Sequence, residues 1–180
     1  RDFGENYVQE ALPKITACAD LGLIWHFIGP LQSNKCRAVA ERFDWVQSAD
    51  RIKVIDALAR HRPGDREPLN VLIQVNIDAE TSKSGCIPEL VPALAKRIIG
   101  HATLRLRGLM AIPAPTADLR RQRSAFAAMR SLFDALQTQH ANVDTLSMGM
   151  SDDLAEAIAE GATMVRIGTA LFGPRATPPA

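Results

Sequence analysis

Leu69-Asn70-Val71-Leu72-Ile73-Gln74-Val75-Asn76-Ile77 is nearly continuous in apolar character. A strand covered on one face alternates apolar and polar residues, whereas a parallel strand covered on both faces does not. Working outward, similar β-branched or aromatic runs occupy residues 45–47 and 23–28 upstream, and 104–112, 145–148 and 163–167 downstream. Helical spacing follows each run. The clearest case is 118–140, where Phe126, Met129, Phe133 and Leu136 fall on one stripe. Asp118 is placed to cap that helix, and Pro113 and Pro115 stop it extending backwards. Alternating strands and helices imply βα units and a parallel sheet.

Counting Phe3-Gly4 as the tail of a strand gives seven strands. An eight-stranded barrel usually takes about 250 residues, with ~200 at the compact end. The 180-residue chain opens on a strand end, which leaves it one βα unit short. The expected fold is therefore α/β, a TIM-like (β/α)8 barrel that lacks its first βα unit in this chain. A leading strand and helix would be truncated or lie outside the observed species. A flavodoxin-like open sheet is the alternative. No glycine-rich linker divides the sequence, so residues 1–173 are expected to form one barrel domain. The Pro- and Ala-rich residues 174–180 form a fraying tail.

Composition narrows the function classes. At 47% hydrophobic and 23% charged residues the chain reads as globular, and a net charge of +1 offers no basic field for nucleic acid. No apolar run approaches the ~18 residues that span a bilayer. The N-terminus has no signal-peptide layout. Cys18, Cys36 and Cys86 make neither a disulfide framework nor a metal-spaced set, which fits a reducing cytoplasm. There is no Ser-His-Asp order, paired-carboxylate motif or phosphate-binding Walker loop.

Polar residues gather where strands end, the place where α/β folds put their ligands. Arg166 lies in Val165-Arg166-Ile167-Gly168-Thr169, a strand running into a helix start. Gly168 lets an anion approach the backbone and Thr169 can cap the helix; the alternative is a strand-end arginine paired with Asp144 beside a left-handed glycine. Ser147-Met148-Gly149-Met150-Ser151 adds two hydroxyls, but Asp152 and Asp153 would repel a dianion unless they turn to solvent. Ser151 is otherwise a plain helix cap. His26 points opposite to Trp25 and Phe27, and either lies against a planar ligand or is a hydrogen-bonded core residue. Asn6 either meets a ligand oxygen or caps the helix of Val8, Leu12 and Ile15. Gln32-Ser33-Asn34-Lys35 forms either a polar loop over the pocket or a cap followed by a surface lysine. Lys83, in Thr81-Ser82-Lys83-Ser84-Gly85, is an anion ligand or a solvated loop lysine.

Together, Phe3-Gly-Glu-Asn6, Trp25-His-Phe-Ile-Gly-Pro-Leu-Gln-Ser-Asn-Lys35, Arg107-Gly-Leu-Met-Ala-Ile-Pro113, Ser147–Asp153 and Val165–Gly173 closely resemble the YggS/PROSC family. Its members are pyridoxal 5′-phosphate (PLP) homeostasis proteins, similar to the barrel domain of alanine racemase without the second domain. The resemblance implies an intracellular carrier or buffer of PLP rather than an enzyme, monomeric, with PLP-dependent apo-enzymes as recipients. It also implies site roles: Arg166 faces the pyridine nitrogen; Ser151, Gly168 and Thr169 hold the phosphate; Asn6, His26 and Met148 line the ring. A guanidinium keeps its proton, so it leaves the pyridine nitrogen unprotonated and the ring a poor electron sink. The family's Schiff-base lysine belongs to a Val-Ser-Lys-type segment upstream of Phe-Gly-Glu-Asn. None of Lys14, Lys35, Lys53, Lys83 and Lys96 matches that position, so covalent attachment transfers to none of them. Two other readings stay open. One is a racemase-like PLP enzyme, for which Tyr7 is the only tyrosine; the other is a barrel for a different phosphorylated ligand.

Overall fold

The computed structural model describes residues 1–80 and 83–173. Six strands form one parallel sheet in simple sequential order: β1 (Asp2–Glu5), β2 (Ile24–Phe27), β3 (Trp45–Ala49), β4 (Leu69–Gln74), β5 (Leu104–Met110) and β6 (Thr145–Ser147). Between them run α1 (Val8–Ala17), α2 (Cys36–Arg42), α3 (Ile52–His61), α4 (Val91–Ile99) and α5 (Leu119–Gln139); α6 (Leu154–Ala159) and α7 (Thr169–Phe172) follow β6. The tail expected at 174–180 lies outside the described residues.

The helices cover the outside of the sheet. In β2, Phe27 turns outward and packs edge-on against Phe43, with centroids 5.6 Å apart. In α5 the expected stripe of Phe126, Met129, Phe133 and Leu136 is buried, and Asp118 caps the helix by accepting from the Arg120 and Arg121 amides. The central strand β4 is buried on both sides except at Asn70, as its unbroken apolar run requires.

The sheet curls, and side chains show it. Gln47 on β3 and Ser147 on β6 meet at 2.7 Å, although three strand spacings of about 4.8 Å separate their strands in a flat sheet. The inner face is thus a half-barrel interior. At its lower end Trp45 lies between two polar neighbours: the His26 ring stacks on it at 5.1 Å, and the Arg107 guanidinium sits 4.6 Å from its centroid. Arg107 reaches inward because β5 bulges there. Val71 pairs with Leu106 and Leu72 with Gly108, so Arg107 is skipped. Gly108 takes φ +148° and a Cβ on it would lie 1.9 Å from the Thr145 carbonyl oxygen. Also at this end, Arg62, only 6% exposed, donates to the carbonyls of Ala40, Phe43 and Glu67 at 2.6–2.8 Å, which ties α2 and its C-terminal cap to the approach to β4.

The seventh strand expected at 163–167 does not form. Met164 makes one parallel bridge with Ser147, donating to the Leu146 carbonyl and accepting from the Met148 amide. The next rung of a parallel ladder would take the Arg166 amide to Met148. It goes to the Gly149 carbonyl instead, at 2.9 Å. Gly149 has φ +94°, and this one-residue slip ends the ladder.

Candidate functional site

All six strands are parallel, so Asn6, Gly29, Ser151 and Gly168 lie beyond strand or bridge C-termini on one end of the sheet. Asn6 follows β1 but caps nothing, because α1 begins after Tyr7, which itself makes no side-chain cap. Its backbone is held close to Gly29: a Cβ there would lie 2.1 Å from the Asn6 carbonyl oxygen. Glycine therefore fixes how near the ends of β1 and β2 come to each other.

Arg166 is the centre of the arrangement. Its Nη1 donates to Ser147 Oγ at 2.7 Å and its Nη2 to the Ala111 carbonyl at 2.9 Å. The alternative partner Asp144 is taken by Arg107, which grips both carboxylate oxygens. No carboxylate ion-pairs with Arg166 among the described residues, although the charge of Asp153 is near enough to be felt. Burial pushes the guanidinium pKa down to about 10, so it stays charged at neutral pH. A half-buried cation of this kind, with N–H groups to spare, is suited to an acceptor brought by a ligand.

Around it the loop after β6 settles one electrostatic difficulty. Asp153 turns back on its own loop and accepts from the Met150 amide at 2.6 Å, while Asp152 is exposed. Ser151 lies in the turn, partly exposed. Gly168 occupies the cap position of α7 with φ −117°, so it is not a left-handed glycine. Thr169 does not cap α7 but forms its first residue, exposed beside Gly168. These residues are short, polar and open to solvent.

His26 and Met148 are placed differently. Met148 is completely buried, and its amide is spent on Met164. His26 is 3% exposed, with Nε2 against Asp2 Oδ1 at 3.1 Å and Nδ1 against Gln47 Nε2 at 3.0 Å. Both ring nitrogens are engaged by protein, and burial holds the imidazole pKa below its usual value despite Asp2. Sequence reasoning had no candidate role for Gln47. Its signal was a polar residue inside an apolar strand run, next to Ser48. Of the other candidates, Ser33, Asn34 and Lys35 form a 3-10 turn leading into α2, and Lys83 reaches the Ile112 carbonyl and Glu80.

Comparison with known proteins follows the same lines. Residues 1–176 match the family described as alanine racemase, N-terminal domain. The pyridoxal phosphate homeostasis protein of Pseudomonas aeruginosa is 60% identical over 175 residues, spanning 97% of this chain and 75% of that protein. The protein of the same name from Escherichia coli is 53% identical over 178 residues, with 97% and 76% covered. The structure of PipY from Synechococcus elongatus with PLP bound superposes with a TM-score of 0.85 at 37% identity, over 95% of this chain and 81% of that one. A D-threonine aldolase from Filomicrobium marinum, at 18% identity and TM-score 0.74, covers 94% of this chain and 48% of its own, and shares the fold alone. In sequence and in architecture alike, the chain belongs to the alanine racemase N-terminal domain family and, within it, to the YggS/PROSC group of pyridoxal phosphate homeostasis proteins.

Proposed function

We propose that this chain binds PLP at the C-terminal end of its half-barrel and serves in cofactor homeostasis as a cytoplasmic, monomeric carrier or buffer rather than a catalyst. The observation that carries the reading is Arg166: a half-buried guanidinium held by two neutral oxygens, with no ion-pair partner among the described residues. In this reading Arg166 donates to the pyridine nitrogen. The hydroxyls of Ser151 and Thr169 and the backbone at Gly168 take the phosphate, and Asn6, His26 and Met148 shape the ring's surroundings. Asp153, bonded to Met150, is held off the anion. The six strands supply the larger part of a TIM-like barrel.

PLP, when bound, supplies an aldehyde and an aromatic ring able to withdraw electrons. The chain's own residues work against using that ring. Arg166 cannot give the pyridine nitrogen a proton, and both nitrogens of His26 are engaged within the protein, which leaves it no free base to offer. Tyr7 is exposed at the start of α1. These features favour holding the cofactor over two-base chemistry, and they favour recipient apo-enzymes as partners.

Equilibrium dialysis with PLP, pyridoxal and inorganic phosphate tests the reading. Retention should be greatest for PLP and should fall in Arg166→Ala. Inorganic phosphate retained as well as PLP, with no effect of Arg166→Ala, would favour a barrel for some other phosphate ester.

A further inference from the structure

A chain of side-chain hydrogen bonds crosses the half-barrel interior from Arg166 to Asp2. Arg166 Nη1 meets Ser147 Oγ at 2.7 Å, Ser147 Oγ meets Gln47 Oε1 at 2.7 Å, Gln47 Nε2 meets His26 Nδ1 at 3.0 Å, and His26 Nε2 meets Asp2 Oδ1 at 3.1 Å. Its direction follows from its ends. Arginine only donates, so Ser147 must accept from it and send its own proton onward, to the Gln47 carbonyl oxygen. The Gln47 amide nitrogen then faces His26, and its second proton points to Met164 Sδ at 3.2 Å. An amide N–H needs a lone pair opposite it, so His26 Nδ1 is bare and Nε2 carries the proton, which goes to the Asp2 carboxylate. Every link is satisfied in one sense only: donors run from the cation to the anion.

Gln47 accepts and donates through separate atoms whose roles, unlike those of the two His26 ring nitrogens, do not change with tautomer, and so it fixes that sense. We infer that Gln47 is a positioning residue: through Ser147 it holds the Arg166 guanidinium in its donor pose, and through His26 it ties that pose to Asp2. That the pose serves a pyridine nitrogen rests on the proposed function; the relay itself does not. The charged groups facing His26 are Asp2 from β1 and Asp44 from the segment before β3.

Two variants separate positioning from mere filling of space. Gln47→Met keeps the volume and removes both polar atoms, which leaves the Ser147 hydroxyl without its acceptor. Gln47→Glu keeps an acceptor for Ser147 and shares one extra proton with His26. In ligand-free protein labelled with 15N, the Arg166 guanidinium should show separate, slowly rotating Nη signals, assigned by their loss in Arg166→Lys. These signals should persist in Gln47→Glu and average together in Gln47→Met. At pH 7 the single ring proton of His26 in the parent should sit on Nε2. PLP retention in dialysis should drop about tenfold in Gln47→Met, the scale of one charge-assisted hydrogen bond, and much less in Gln47→Glu. A proton on Nδ1 or a doubly protonated His26 in the parent would overturn the inference, and so would unaltered Arg166 signals in Gln47→Met. Should Gln47→Met fail to fold, the parent's His26 spectrum and the Gln47→Glu signals still decide. Expected NMR signatures with no PLP retained by the parent would sink the cofactor reading and leave the positioning of Arg166 standing.

Discussion

Replacing Arg166 by methionine separates binding from bracing. Burial lowers the guanidinium pKa to about 10, with the Asp153 charge opposing the shift only in part. A displacement of that size corresponds to a folded-state charge disfavoured by about 3 kcal/mol, which methionine relieves. Against this, Ser147 Oγ and the Ala111 carbonyl lose donors at 2.7 and 2.9 Å. Each such charge-assisted bond contributes about 1.5–3 kcal/mol, and at this half-buried site solvent holds it to the low end, so the two effects nearly cancel. Arg166→Met should therefore change the unfolding free energy by about 1 kcal/mol or less, whereas breaking a structural buried ion pair costs about 3–5 kcal/mol. Urea denaturation with matched slopes measures this, and PLP retention, read by dialysis on the same preparation, should fall at least about tenfold. A stability loss above about 3 kcal/mol would show that the arginine chiefly braces the fold. Unchanged retention would remove it from the site.

Other perturbations give equally specific outcomes. Gly29→Ala places a methyl 2.1 Å from the Asn6 carbonyl oxygen and must push the end of β1 outward, so PLP retention should fall along with Tm. Phe126→Ala empties a fully buried position under α5 and should cost about 3–5 kcal/mol in urea denaturation. Burial opposes ionisation of Asp144, but hydrogen bonds from Arg107 and Thr145 outweigh it and hold the carboxyl below the usual carboxylate range. The stabilisation is complete above the unfolded pKa and fades as pH falls through the lower folded one. Asp144→Asn should thus lower stability at pH 7 by about 0.5–1 kcal/mol and flatten its decline in acid, as denaturation across pH 2–7 would show.

What could be read from the sequence was what local chemistry decides. The α5 stripe and the Asp118 cap depend on spacing and on one side chain reaching two amides, and both formed as expected. The run at 69–77 was recognisable because burial on both faces leaves no alternation, yet its strand stops at Gln74, where Val75 turns to bridge Cys86. The ladder at 163–167 failed for a reason no local pattern carries: the slip at Gly149 depends on how two distant segments meet. Arg166 was identifiable as a strand-end cation, but its partners were not. Ser147 ends β6 and Ala111 follows β5, and Gln47 lies one hundred residues from Ser147 in sequence. Thr169 is not the cap the sequence suggests because α7 is one turn long and begins a residue earlier than a cap there would require.

The Arg62 clasp has a consequence for how the protein fails. Its guanidinium leans on carbonyls of Ala40, Phe43 and Glu67, and a carbonyl has no charge for acid to neutralise or for salt to screen. The Arg97–Asp56 and Arg107–Asp144 contacts have no such immunity, since each depends on a carboxylate staying ionised. Progressive acidification should therefore loosen the outer face of α3 and α4, the β5–β6 junction and the Arg66–Asp44 pair first, while the Arg62 contacts that join α2 to the entrance of β4 give way last.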